Sequence, residues 1–217
     1  MPKDSSPSCC TAKGVLAKRA RTALYVSLGL AALIWACYLL AMAAGPSLLY
    51  QLGILPRRLE GLDGIVFGPL LHAGVNHLLG NTLPLVVFSF LTLLEGVRRY
   101  LVVLGTSWLA SGLGVWLFGG GLTVGISGVV FGLFAYLMVR GIYNRDILQL
   151  LLGGFLFLVY GSLLWGVLPV SIGVSWQAHL FGAAGGVLAA VLLSRHRQGR
   201  GTRGTRKSGP SPWKDPL

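Results

Sequence analysis

Long apolar runs, separated by turns that carry charges, glycines or prolines, divide most of the chain into segments. Their approximate limits are Ala23 to Ala44, Val75 to Leu94, Tyr100 to Phe118, Val124 to Val139, Ile147 to Leu168 and Trp176 to Leu193. Most are close to the ~20 residues with which an α-helix crosses a bilayer core. They lack the alternation of a barrel strand, and only helices or closed barrels satisfy their own backbone hydrogen bonds in lipid. The pattern therefore predicts an all-α membrane protein with six transmembrane helices.

The composition also indicates an integral membrane protein. Of the 217 residues, 54% are hydrophobic and 11% are charged, and the mean hydropathy is +0.72. These values lie outside the range of an ordinary soluble domain. The segment from Val124 to Val139 is short, so we expect it to begin below the outer membrane surface. We expect five tryptophans to face lipid or the membrane interface: Trp35, Trp108, Trp116, Trp165 and Trp176.

The positions of Lys and Arg predict the orientation. The net charge is +12, but the basic residues lie in the tails and in short turns, which disfavours nucleic-acid binding. Most of them fall on one side of a six-span bundle, whereas Arg57 and Arg58 lie in the first outer loop, where Glu60 and Asp63 balance them. This bias predicts that both termini are cytoplasmic. We expect a basic cytoplasmic tail at 1–22, a membrane domain at 23–194 and a basic, disordered cytoplasmic tail at 195–217. Ala41-Met42-Ala43 resembles a signal-peptide cleavage site, but the preceding apolar run is too long for one, which favours a retained helix.

Several polar residues share one depth in this arrangement. The second, fourth and sixth helices begin at the outer face, so the polar residues near their starts lie in the outer third of the membrane. These residues are His72, His77, Asn81, Ser127 and His179. Polar groups inside a membrane are costly and usually functional. A serine and a histidine at the same depth therefore suggest a reactive pair.

Glycine spacing predicts close contact between the fourth and sixth helices. The pairs Gly128–Gly132 and Gly182–Gly186 form small-xxx-small stripes, which let two helix backbones approach. His179 lies on about the same stripe as the second pair, and Ser127 comes one residue before the first. This placement favours a hydrogen bond between the two side chains.

Three sequence elements resemble motifs of the rhomboid intramembrane serine proteases. His72-x4-His77-x3-Asn81 resembles the HxxxxHxxxN element. Gly125-Ile126-Ser127-Gly128 resembles GxSG, and Ala178-His179-x2-Gly182-x3-Gly186 resembles AHxxGxxxG. Their order and helix placement are similar to those of the family from about Leu59 to Leu193. A GxSG string alone is common in membrane helices, whereas the three elements in order are specific.

The resemblance implies a serine endopeptidase that cleaves transmembrane segments of membrane proteins near the outer face. Ser127 would be the nucleophile and His179 its general base. The side chains of His77 and Asn81 and the Ser127 backbone N–H would form the oxyanion hole. Supporting positions would be His72, Gly125, Gly128 and Phe131, the last of which aligns with an aromatic that stacks on the catalytic histidine in relatives. The six-helix core also resembles bacterial plasma-membrane members of the family.

The acidic residues predict a dyad rather than a triad. Glu95 and Asp146 fall on the cytoplasmic side, and the other acids lie in the first outer loop or the tails, so no carboxylate occupies a helix near His179. The first loop departs from the family pattern. Asp63-Gly64 stands in the region where relatives often carry a Trp-Arg pair.

Two other protein classes share parts of this pattern. A catalytically inactive rhomboid-like protein would bind membrane segments without cutting them, but such relatives commonly lose the serine or the histidine. A transporter or zinc protein would use the clustered histidines, but the chain has no HExxH motif and no visible inverted repeat. We expect no cofactor and no metal. The expected partners are transmembrane substrates and the lipid bilayer, and the sequence specifies no oligomeric state.

Overall fold

The described part of the chain is helical, as the apolar runs predict. A computed structural model describes residues 7–169 and 173–201. Its α-helices are α1 (Pro7–Ala44), α2 (Ser47–Leu52), α3 (Gly64–Phe67), α4 (Val75–Leu93), α5 (Val97–Phe118), α6 (Ser127–Asn144), α7 (Ile147–Tyr160) and α8 (Trp176–Gly201). Short 3₁₀ segments lie at Leu59–Gly61, Gly68–Leu70 and Gly161–Val167. Within these residues, extended pairing is limited to a bridge between Ile54 and Thr123.

Five helical segments are long and apolar enough to cross a membrane. They are Gly14–Ala44, Val75–Leu93, Val97–Phe118, Ile147–Val167 and Trp176–Ser194, and each matches a predicted span. The remaining predicted span, Val124 to Val139, corresponds to α6 (Ser127–Asn144), which is not among these five segments. It has 18 residues, and its last turns carry Arg140 and Asn144. These polar residues lower its mean hydropathy. The predicted disordered tail falls largely on residues 202–217, which lie outside the described residues, as do 1–6 and 170–172.

Helix α6 is the centre of the bundle and packs against α4, α5, α7 and α8. Its contact with α8 is made backbone to backbone. A Cβ on Gly182 would collide with the carbonyl oxygen of Gly128, and a Cβ on Gly186 would collide with that of Gly132. The predicted small-residue contact between these helices is confirmed. It places the first turns of α6 and α8 side by side.

The loop between α1 and α4 packs against the bundle at the end where α4, α6 and α8 begin. Its backbone pairs with the loop that precedes α6, because the Ile54 N–H donates to the Thr123 carbonyl at 2.9 Å. The indole N–H of Trp108 donates to the Ile65 carbonyl and that of Trp116 to the Arg58 carbonyl, each at 2.9 Å. The expectation that these two tryptophans are lipid or interface anchors is therefore incomplete. Their indoles hold the first loop against α5.

An ionic cluster lies at the opposite end of the bundle. Glu95, in the turn between α4 and α5, forms an ion pair with Arg140 of α6. Its Oε2 atom also accepts hydrogen bonds from Arg99 at 3.0 Å and from the Tyr136 hydroxyl at 2.8 Å. Arg140 is only 4% exposed. A carboxylate partner explains how the bundle holds a buried guanidinium, because a buried charge without one is strongly unfavourable.

Candidate active site

The residue that precedes the serine by two positions shapes the start of α6. Gly125 has φ +120°, a conformation that residues with a Cβ rarely adopt. A Cβ there would also lie 2.5 Å from Cε1 of His77. The Gly125 N–H donates to the Gly68 carbonyl at 2.9 Å, which fixes the turn to the first loop. Ser127 follows as the first residue of α6.

Ser127 and His179 are in hydrogen-bond contact. The Oγ atom of Ser127 lies 2.9 Å from Nε2 of His179, which is 7% exposed in the first turn of α8. The other ring nitrogen, Nδ1, lies 2.8 Å from the backbone carbonyl oxygen of Gly166. A carbonyl can only accept, so Nδ1 carries the hydrogen and Nε2 is left to accept the hydrogen of the Ser127 hydroxyl. This is the tautomer in which a histidine serves as base toward a serine.

An aromatic ring holds the imidazole from one side. Phe131 lies one helical turn after Ser127 on α6 and stacks on His179, with ring centroids 4.0 Å apart and planes inclined by 4°. A Cβ on Gly166 would lie 2.9 Å from both the Phe131 Cζ atom and the His179 Nδ1 atom. The histidine is thus enclosed between the Phe131 ring and the 3₁₀ segment Gly161–Val167. Little room remains for the imidazole to rotate.

The polar residues at the start of α4 face the same region. The amide nitrogen of Asn81 donates to Nε2 of His72 at 3.2 Å, and the His72 and His77 rings meet edge to face at 5.1 Å. His72 is 2% exposed. Burial, and secondarily the neighbouring His77, lowers the pKa of His72 to about 4, so this ring is neutral near pH 7 and can accept the Asn81 hydrogen. His72 therefore orients the side chain of Asn81.

A cavity of about 940 Å³ joins these groups. Its wall includes Ser127, His179, His77 and Asn81, whereas the buried His72 lies behind Asn81. Residues 120–124, before α6, and 173–177, at the start of α8, also line it. The volume is near the upper end of the ~300–1,000 Å³ typical of ligand pockets. The serine and Asn81 therefore border the same cavity.

The structure brings together all the predicted site residues, and it adds one that was not predicted. Gly166 stood within an apolar run that reads as continuous helix, so nothing in the pattern indicated that its carbonyl would reach His179. The only local signal is the pair Gly161 and Gly166, which weakens the helix there. No acidic side chain bonds to His179 among the described residues, and the same residues contain no group of three or more His, Cys, Asp or Glu placed to hold a metal ion.

The comparison with known proteins agrees with the motif reading. A family profile for the Rhomboid domain matches residues 60–196, more than half of the chain. The chain belongs to the rhomboid family. With its apolar helices, this membership makes it a multi-pass membrane protein. The matched range includes every residue of the cavity wall named above.

Three relatives give the extent of the similarity. An uncharacterised protein of Mycobacterium tuberculosis is 44% identical over 152 residues, covering 65% of this chain and 63% of its own length. One of Mycobacterium leprae is 41% identical over 167 residues, covering 72% of this chain and 65% of its own. A Bacillus subtilis protein, provisionally named rhomboid protease YdcA, is 27% identical over 139 residues, with coverages of 60% and 67%. The rhomboid chain thus spans under two thirds of the length of its mycobacterial relatives.

Proposed function

We propose that this rhomboid-family protein is an intramembrane serine endopeptidase that cleaves transmembrane segments of other membrane proteins. The observation that carries the proposal is the 2.9 Å contact between Ser127 Oγ and His179 Nε2, in an imidazole whose Nδ1 is already committed to a carbonyl. A serine hydroxyl is a weak nucleophile unless an adjacent base removes its proton. Here the base is present, oriented and partly buried.

The reaction begins with proton transfer from Ser127 Oγ to His179 Nε2. Oγ forms a bond to the scissile carbonyl carbon, and the carbonyl π electrons move to oxygen. The protonated His179 then gives its proton to the leaving amine as the C–N bond breaks, leaving an acyl group on Ser127. Water then gives a proton to the same histidine and attacks the acyl carbon. The bond between that carbon and Ser127 Oγ breaks, Oγ takes the proton back from His179, and the carboxylic acid product leaves.

The oxyanion is assigned to the Ser127 backbone N–H and the side chains of His77 and Asn81. The amide of Asn81 has a second N–H besides the one bonded to His72. Because His72 accepts the first N–H, the side chain of Asn81 is already oriented before the reaction begins. Its second N–H can then bind the oxyanion without a reorganisation of the side chain. Loss of one such donor typically lowers the rate by about 10² to 10³.

The membrane placement is part of the same proposal. We take α6 as a sixth crossing that starts below the outer surface, with both termini cytoplasmic in the plasma membrane of a bacterium. The positive charge of Arg98, Arg99 and Arg145 on one side supports this orientation. The candidate site then lies near the outer face. A substrate helix must unwind there, because an intact helix hides its carbonyls in its own hydrogen bonds.

The test pairs two serine variants. Purified protein in lipid vesicles is incubated with a single-span reporter and, separately, with a fluorophosphonate probe. Ser127→Ala should abolish cleavage and labelling, whereas Ser162→Ala, which removes another hydroxyl from the cavity wall, should keep both. Intact protein that neither cuts nor becomes labelled would instead indicate an inactive rhomboid that binds membrane segments. Equal activity in both variants would show that Ser127 is not the nucleophile.

A further inference from the structure

The backbone carbonyl of Gly166 is the acceptor for the second nitrogen of the candidate base. It lies 2.8 Å from Nδ1 of His179. In a serine–histidine–carboxylate triad this place belongs to a carboxylate, which selects the tautomer and orients the ring. Here a neutral main-chain oxygen occupies it, from an element that contains neither Ser127 nor His179. That element is the 3₁₀ segment Gly161–Val167 that follows α7.

We propose that Gly166 is a positioning residue for catalysis, whose carbonyl holds His179 in the Nδ1–H tautomer and thereby leaves Nε2 free to accept the Ser127 proton. This inference rests on the proposed protease function. A neutral imidazole has one N–H, which either nitrogen can carry. Without an acceptor at Nδ1, part of the His179 population would carry the hydrogen on Nε2. A protonated Nε2 cannot accept the hydrogen of the Ser127 hydroxyl.

The residue type at this position follows from the same geometry. A Cβ at Gly166 would lie 2.9 Å from the His179 Nδ1 atom and 2.9 Å from the Phe131 Cζ atom. Phe131 is 4% exposed and stacked on the imidazole, so it cannot move aside alone. Only glycine lets the carbonyl approach the ring this closely. Any side chain would push the 3₁₀ segment away from the histidine.

The stretch Ile147–Val167, which ends in this segment, is the least buried of the five apolar segments of the described chain. Only 11% of its most apolar stretch is buried inside the bundle, compared with 22% to 39% for the other four apolar segments of the described chain. By contrast, α6 and α8 touch through their backbones. Displacement of the segment would therefore break the Gly166 contact while Ser127 and His179 stay close. The orientation of His179 therefore depends on the 3₁₀ segment Gly161–Val167 staying packed against it.

The experiment compares two glycines of the same segment. Gly166→Ala introduces the clash described above, whereas a Cβ on Gly161 would meet only Phe157, at 3.6 Å, which is an ordinary contact. We expect Gly166→Ala to lower kcat for a reporter by about 10- to 100-fold with little change in KM. This is less than the about 10⁴-fold loss when a triad histidine is left in the wrong tautomer. Gly161→Ala should stay near the wild-type rate.

The tautomer of His179 can be measured directly, and it should not change if Gly166 has only a structural role. ¹⁵N-histidine spectra near neutral pH, assigned with His179→Ala, should show Nδ1 protonated and Nε2 unprotonated in the wild type. Gly166→Ala should give a mixture of tautomers, and Gly161→Ala should not. A wild-type ring protonated on Nε2, or a Gly166→Ala ring that keeps the wild-type pattern and rate, would overturn the proposal.

The same spectra separate this inference from the proposed function. Recorded in the Ser127→Ala background, they report the tautomer whether or not the protein cleaves anything. If Gly166→Ala fails to fold, Val167 is replaced by its α-hydroxy analogue, which turns the Gly166 carbonyl into a weaker ester acceptor without adding atoms. We expect about a 3- to 10-fold fall in kcat, since one hydrogen bond is weakened. The control is the same replacement at Leu168, which also removes a backbone N–H but leaves the Gly166 carbonyl as an amide. An equal fall in kcat for both replacements would overturn the proposal.

Discussion

Replacing Glu95 by glutamine should destabilise the protein strongly although it lies far from the candidate site. The neutral side chain would remove the carboxylate that pairs directly with Arg140, 4% exposed, and would leave it only the more distant charge of Asp146. Breaking a buried ion pair from one side costs about 3–5 kcal/mol, because the remaining charge is uncompensated. Arg99 is more exposed, and its pair with Glu95 contributes at most about 1 kcal/mol. The Tyr136 hydroxyl can still donate to the glutamine oxygen, so its bond adds little to the loss.

We therefore expect Glu95→Gln to lower the free energy of unfolding by about 3–4 kcal/mol, measured by SDS titration in mixed micelles. Arg99→Gln, the control, should cost about 1 kcal/mol or less. The double variant Glu95→Gln, Arg140→Met should recover most of the loss, since replacing a buried pair by apolar groups is often close to neutral. A loss in Glu95→Gln no larger than in Arg99→Gln, with additive effects in the double variant, would refute this account of the cluster.

Three other outcomes are expected. His179→Ala should abolish both cleavage and probe labelling, whereas Asn81→Ala should retain partial activity with a loss of about 1–4 kcal/mol in transition-state stabilisation, measured as kcat/KM; equal losses would contradict the separation of base from oxyanion hole. The pKa of His72 is about 4 in the folded protein against an ordinary 6.5, so the unfolded chain binds more protons and stability should fall by about 3 kcal/mol as the pH drops from about 6.5 to about 4. His72→Gln, whose oxygen can still accept from Asn81, should flatten that dependence in the same SDS titration, and an unchanged slope would contradict it. Single cysteines in a cysteine-free chain should be labelled from outside at Gly120 and from inside at Asn144, and the reverse pattern would invert the proposed topology.

Much of the bundle could be predicted because lipid imposes a simple pattern. The apolar runs predicted all five membrane-length segments of the described chain. Charged ends were missed, because α5 begins at Val97 rather than Tyr100 and α8 continues past Leu193 to Gly201. The glycine stripes predicted the contact of α6 with α8, because only residues without a side chain permit such an approach. The motif residues predicted which polar groups would meet. Each of these signals is local in the sequence.

The contacts that could not be predicted join residues far apart through groups with no sequence signature. The Gly166 carbonyl is a main-chain atom, and every residue has one. The bonds from Trp108 and Trp116 to the first loop depend on how that loop folds back, and its short helices α2 and α3 are too brief to show a period. The pair of Glu95 with Arg140 requires the α4–α5 turn to meet the end of α6. Such contacts follow from the packing that the apolar pattern produces.

The backbone contact between α6 and α8 also bears on how the protein responds to bilayers of different thickness. Helices adapt to a mismatch in hydrophobic length by tilting, each at a modest cost. The two helices that carry Ser127 and His179 cannot tilt independently, since the carbonyls of Gly128 and Gly132 lie against Gly182 and Gly186. We expect the tilt to be taken up by α1 and α7, which pack mainly against α4 and α6 respectively. In the proposed protease, a thinner or thicker membrane would then leave the distance from Ser127 to His179 unchanged and would alter the rate by moving the Gly166 carbonyl relative to His179.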